Sequence, residues 1–163
     1  GWNGAPDRYD WKLLGKREMY MPCNNYKVVD RKAKYEQIVQ PGSLNPDLMR
    51  YELHRVWVVE GTLKAGQKHS FGKRTLYIDE DTWSVLWEDG YDTRGELWRI
   101  GVHPVIQFYD HGLTWYAANI WHDLSNGGYY VGGLMNQEPA WKFGVKGKLA
   151  DFQSDALRRA GTQ

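Results

Sequence analysis

Alternation of apolar and polar side chains dominates the middle of the chain. From residue 51 to about 105, runs rich in Val, Trp, Tyr, Ile and Leu alternate with short turn signals, the pattern of an antiparallel meander. Residues 1–50 read as an irregular lead-in, with Pro6, Pro22, Pro41 and Pro46 interrupting any regular period. Within it the alternation predicts one strand around Tyr9–Met21 and a helical turn near residues 34–39. Two further strands are expected around 114–122 and 129–135, the meander ending near 137, and a short helix over 150–160. Ser154 or Asp151 is placed to cap that helix, with Arg158 and Arg159 in its last turn and Gly161 after it. The fold class predicted is mainly β: one domain over residues 1–163, an antiparallel sheet with a few short helices.

Turn positions fix cross-strand partners. Tight turns at 64–67, 79–82 and 92–95 place Trp57 opposite Arg74, Arg74 opposite Trp87, and Trp87 opposite Ile100. One face then collects Leu53, Trp57, Val59, Leu76, Ile78, Trp83, Val85, Trp87, Trp98, Ile100 and Val102, with Arg55 and Arg74 among them. The other collects His54, Lys73, Thr75, Tyr77, Ser84, Glu88 and Arg99, of which Lys73, Glu88 and Arg99 make a cross-strand ladder of alternating charge.

Composition sharpens that picture. Nine Trp and eleven Tyr stand against four Phe, a bias toward large apolar surfaces with a polar handle. Four Trp side chains at about 150–250 Å² each exceed the few hundred Å² of apolar patch usual on a monomer, so something covers them. Two readings follow. The face is a core covered by the rest of the chain, or it is the wall of a groove for an apolar ligand whose acidic head meets an Arg. In the second reading the wall is Trp57, Val59, Arg55, Arg74, Leu76, Trp83, Val85, Trp87, Trp98 and Ile100.

Charge is nearly balanced, 21 Lys+Arg against 20 Asp+Glu, which argues against nucleic-acid binding by bulk positive charge. The single cysteine, Cys23, excludes an internal disulfide. There is no phosphate-binding Gly-rich loop, no His-Glu-x-x-His and no Cys-x-x-Cys, so no cofactor, no metal site and no catalytic residue is predicted. The five histidines, at 54, 69, 103, 111 and 122, are scattered. Cys23 with a histidine is the one nucleophile pairing available, and the 79–81 acidic turn offers at most weak calcium ligation without EF-hand spacing.

Several long motifs carry a family resemblance. Residues 50–66 (RYELHRVWVVEGTLKAG), 73–83 (KRTLYIDEDTW) and 91–99 (YDTRGELWR) resemble a family of uncharacterised bacterial proteins usually labelled outer-membrane lipoprotein-sorting-like, domain of unknown function 1329. Residues 8–12, 20–26 and 41–50 fit it too, so the resemblance runs from about residue 5 to residue 137. Ala65 stands where the family often shows Pro. The resemblance implies a fold like that of the periplasmic carriers LolA and LolB: a strongly curved antiparallel sheet, an open or incomplete barrel, whose apolar concave face is closed by helices. It implies a periplasmic location in a Gram-negative envelope and a hydrophobic ligand or lipidated protein as cargo. It further implies association with outer-membrane β-barrels or exporters, and no established catalytic residue. Family members are considerably longer. This chain resembles their C-terminal half, so the N-terminal half of the same protein, bearing the export signal, is an expected partner. The rivals to a carrier are an interaction module docking on other envelope proteins and an enzyme on a barrel scaffold.

Overall fold

The computed structural model describes Trp2 and residues 4–161. Its centre is an open antiparallel sheet of seven strands, and its first strand is the long alternating one in the lead-in, β1 (Tyr9–Met21). A helical turn α1 (Tyr35–Ile38) and a small hairpin, β2 (Val39–Gln40) and β3 (Ser43–Leu44), follow. The chain then runs through β4 (Glu52–Leu63), β5 (Lys73–Asp79), β6 (Val85–Tyr91) and β7 (Leu97–Val102). A hairpin of β8 (Val105–Phe108) and β9 (Leu113–Tyr116) leaves the sheet, and β10 (Asn119–Asp123) and β11 (Tyr129–Gly132) return to it. The order is β1-β4-β5-β6-β7-β10-β11, which leaves β1 and β11 as edges, so the sheet is not closed. The mainly β, incompletely closed architecture expected from the sequence is the one found.

The stretch 114–122 is two strands. Ala117 leaves the line of β9, its N–H donating to Pro104 O at 2.7 Å, so the hairpin folds over the sheet and Val105 packs with Met21, Val56 and Val58. The C-terminal helix is also shorter than expected. A 3-10 turn, Leu149–Phe152, precedes α2 (Ser154–Ala160), whose N-cap is Gln153 without a side-chain bond; Asp151 instead accepts from Lys148 N.

All three hairpin registers differ from the tight-turn expectation. The turn at 64–67 forms, with Gln67 N donating to Lys64 O, but pairing restarts only where Leu63 N meets Gly72 O. The intervening residues are recruited elsewhere: Tyr9 Oη lies 2.9 Å from His69 Nδ1 and donates to Phe71 O at 3.1 Å. Arg74 therefore faces Gly61, and Trp57 faces Ile78. Between β5 and β6 the pairing passes from Tyr77↔Trp87 to Ile78↔Val85, leaving Leu86 as the extra residue of a bulge. One extra residue inverts which face the rest of the strand presents. Trp87 thus shares a face with Tyr77, Val58 and Val102, while Glu88 shares one with Leu76 and Gly101.

The expected Trp57–Arg74–Trp87 neighbourhood is overturned: Trp57 and Trp87 lie on opposite faces. The Lys73–Glu88–Arg99 ladder does not form either. Glu88 turns inward to Arg74, Arg99 pairs with Asp123, and Lys73 sits over the Tyr91 ring.

The core lies on the Trp87 face. Val28, Ile38 and Leu44 of the lead-in pack against Val102, Ile106 and Ile120. Met21 and Cys23 join Val56, Val58, Leu86 and Val105. The irregular residues of the lead-in after β1 are thus the cover of the sheet. Local bonds hold them in place: Asn45 accepts from Asp47 N, Asn25 accepts from Arg50 N, and Asn25 N donates to Val105 O.

The opposite face has its own buried centre. Arg74 Nη2 meets Glu88 Oε1 at 2.5 Å, with side-chain exposures of 11% and 4%. Trp2 and Phe71 lie over the guanidinium at 4.2 and 5.0 Å. Burial raises the Glu88 pKa and outweighs the lowering by Arg74. Farther along β1 and β4, Leu13, Tyr20 and Leu53 on this face are exposed, and Lys16 Nζ lies 4.2 Å over Trp57.

Candidate ligand-binding cleft

Where the lead-in crosses the sheet it leaves a cleft of about 260 Å³. Its floor is Trp87, Ile100, Val102 and Ile120, which alternation and the β6 bulge bring to one face of three adjacent strands. Its roof is Leu44, Pro46 and Met49. Tyr51 stacks on Trp87 with ring centroids 6.4 Å apart, and the Trp87 indole donates to Tyr20 O at 3.2 Å, which fixes both rings. The polar groups at the cleft are Ser43, the Tyr51 hydroxyl and His122. Burial raises the Tyr51 pKa and lowers that of His122, so both are neutral at neutral pH. A hollow of about 550 Å³ along edge strand β11 includes Val131, the cross-strand neighbour of Ile120. The apolar surface thus continues across the covered face.

The ten residues expected to form one wall are dispersed. Trp87 and Ile100 line the cleft, and Val85 is buried beside the bulge. Trp57, Val59, Leu76 and Arg74 occupy the other face, where Arg74 is committed to Glu88. Trp98 packs on Phe71 at 5.3 Å and donates to Asp123. Arg55 pairs with Glu80. Trp83 sits in the turn after β5 with φ 56° and 71% exposure, on neither wall. Leu44, Met49, Tyr51, Ile120 and His122 were not among the expected ten. The three lead-in and flanking residues, Leu44, Met49 and Tyr51, carry no period, because they lie in or just beyond the proline-interrupted segment that ends at Pro46. Ile120 and His122 do alternate, and pairing β10 with β7 would have found them.

The acid–base groups form a separate cluster. His54 Nδ1 lies 2.6 Å from Asp79 Oδ1 and 3.9 Å from Cys23 Sγ, and His54 Nε2 lies 3.4 Å from Glu52. Thiol and carboxylate therefore compete for one ring nitrogen, whereas a nucleophile–base–orienter relay uses both. Burial, aided by Asp79 and Glu52, pushes the Cys23 thiol up to about 12, far from a thiolate. Burial alone would lower the His54 pKa, but the Asp79 and Glu52 carboxylates raise it. His54, Asp79 and Asp81 offer ligand atoms within 4.8 Å of one another. Asp79 is already committed: its Oδ2 accepts from Thr82 N at 2.9 Å and Thr82 Oγ1 at 2.7 Å, closing the turn.

No helix among the described residues is long and apolar enough to cross a membrane. The chain is 49% identical over 163 residues to Uncharacterized protein PA3922 of Pseudomonas aeruginosa, a match covering 99% of this chain and 36% of that protein. The chain thus spans about a third of the length of that curated relative. Among solved structures it is similar to a domain described as an outer membrane lipoprotein-sorting protein domain, from Vibrio parahaemolyticus. There the TM-score is 0.51 at 14% identity, covering 94% of this chain and 49% of that one. It is also similar to a DUF1329 family protein from Desulfovibrio piger, with a TM-score of 0.47 at 16% identity over 93% of this chain and 48% of that one. Residues 1–158 match the family described as proteins of unknown function, DUF1329, and the chain belongs to that family.

Proposed function

We propose that this chain is the ligand-holding part of a non-catalytic periplasmic carrier for a lipid, lipoprotein or other hydrophobic molecule. The observation that carries the reading is the apolar cleft between the Trp87–Ile120 floor and the Leu44–Met49 roof. Its roof is fixed to the sheet through Leu44, which packs with Val102 and Ile120, so the cleft is a preformed space between two apolar walls. The resemblance in fold to a lipoprotein-sorting domain supports the same class of cargo and the same compartment. A lipidated protein, an outer-membrane β-barrel or an exporter are the delivery partners this reading calls for. A docking role has one observation in its favour, the exposed Leu13, Tyr20 and Leu53 beside Trp57, which suit a contact with the rest of a family-length protein.

The test is titration of the chain with a fluorescent fatty acid, read by probe emission and by energy transfer from the tryptophans, with Trp87→Phe reporting the share that Trp87 supplies. Met49→Trp fills the roof side of the cleft and is expected to weaken binding at least tenfold with the circular dichroism and melting temperature retained. Ser43→Trp, from an exposed position, blocks the same space if Met49→Trp does not fold. A parent chain that binds no probe, or two folded variants that bind as the parent does, overturns the proposal.

A further inference from the structure

We propose that the C-terminal segment, residues 141–160, docks this chain onto an anionic lipid surface, lying on it rather than crossing it. Exposed apolar side chains are concentrated there. Val145, Leu149, Phe152 and Leu157 are between 71% and 83% exposed, and neither the 3-10 turn nor α2 contains a buried residue. A helix that covered the sheet would turn its apolar stripe inward, and this one leaves the stripe in water.

The exposed side chains form one patch. In a 3-10 turn, residues three apart eclipse one another, so Leu149 and Phe152 share a side. Phe152 and Leu157 line a common surface hollow with Ala156 and Ala160. The Phe152 ring also lies against Gly147, 3.1 Å from the place a Cβ there would take, which holds the Lys146–Lys148 stretch beside the patch. The segment is fixed to the body at its start. Trp141 packs on the core, and Phe143 meets Phe108 edge-on at 4.8 Å.

Charge identifies the partner. Five of the 21 cationic residues, Lys142, Lys146, Lys148, Arg158 and Arg159, lie in the segment with two of the 20 acidic ones, Asp151 and Asp155. Its side chains therefore carry +3 and those of the remainder −2, an asymmetry hidden by the near balance of the whole. Apolar side chains set among lysines suit a surface that is negative outside and hydrocarbon beneath. Protein interfaces are instead depleted of lysine, and a second copy would bring +3 against +3.

The experiment is flotation of the chain with phosphatidylcholine vesicles made with and without about 30% phosphatidylglycerol, at about 0.1 M salt. The parent is expected to bind the anionic vesicles at least tenfold more tightly than the neutral ones, and to lose most of that difference at about 0.5 M salt. Leu149→Ser/Phe152→Ser and Lys146→Glu/Lys148→Glu are each expected to weaken anionic binding at least tenfold. Circular dichroism and melting temperature should be retained, since all four side chains are exposed. Leu13→Ser/Leu53→Ser, which removes exposed apolar side chains from the open sheet face, should leave binding at the parental level. Equal binding to the two vesicles, binding to neither, folded segment variants that bind as the parent does, or an equal loss in Leu13→Ser/Leu53→Ser overturns the proposal. Self-association of the parent that Leu149→Ser/Phe152→Ser abolishes, without vesicle binding, also overturns it and makes the segment a protein contact.

Discussion

Replacing Arg74 with Met would test whether the buried pair on the open face is a structural keystone. In the parent, Arg74 and Glu88 are joined at 2.5 Å beneath Trp2 and Phe71 and are almost fully withdrawn from water. Removing one partner of a buried pair leaves the other charge uncompensated and costs about 3–5 kcal/mol. For a chain of this size, at about 2–4 °C per kcal/mol, the melting temperature should fall by about 6–20 °C. The loss should depend on pH. Glu88 has a raised pKa in the folded state, so its contribution is full below the ordinary carboxylate range and is lost as pH rises through the folded value. Without the guanidinium that value climbs further, so the variant should suffer more at pH 7.5 than at pH 5. The double variant Arg74→Met/Glu88→Leu should recover most of the loss, because an apolar pair of similar volume avoids desolvating two charges. Thermal unfolding gives the melting temperature, and urea unfolding followed by tryptophan emission at the two pH values gives the free-energy losses. A single-variant loss below about 1 kcal/mol, or equal losses at both pH values, would refute the reasoning.

Three further outcomes are expected. The His54 ring should titrate above its ordinary 6.5 in a proton NMR series, its stabilising contribution full below that value and lost as pH rises through the folded pKa; Asp79→Asn should bring the midpoint down. Cys23, with its thiol near 12, should resist iodoacetamide at pH 8 until urea unfolds the chain, which mass spectrometry reads directly. Gly90→Ala would put a Cβ 2.7 Å from the Phe71 ring, which is hemmed in by His69 and Trp98; a loss of about 1–3 kcal/mol in thermal unfolding is expected.

Element existence was readable from alternation, and facing was not. Tyr9–Met21 and the strands of the meander announce themselves by period two, and the turns at 64–67 and 92–95 by Gly66 and Gly95, which take φ of 81° and 85°. What alternation cannot show is a side chain drawn out of its own hairpin. Tyr9, far away in sequence, claims His69 and Phe71, and that claim delays the β4–β5 pairing and moves Arg74 four positions along β4. Nor does it show Leu86 as a surplus residue, since Val85, Leu86 and Trp87 are all apolar and any of them could be the one left unpaired. The cleft was half legible for the same reason. Its floor residues Trp87 and Ile100 were found as members of one face, but its roof comes from turns whose positions depend on Asn45 and Asn25 bonding rather than on any pattern of hydrophobicity.

The first strand carries a consequence for handling the protein. β1 is thirteen residues long, and among the described residues only β4 pairs with it, so a long row of backbone donors and acceptors faces outward. The strand defends that row with the Leu13/Gly15 bulge and with the exposed Lys12 and Arg17, devices that keep one copy from zipping onto another. Charge repulsion of this kind acts over a screening length of about 10 Å at 0.1 M salt and about 3 Å at 1 M. Ionic strength is therefore a colloidal variable for this chain. Concentrated stocks should stay monodisperse at low salt and self-associate edge to edge as salt is raised, a trend opposite to the salting-in usually sought during purification.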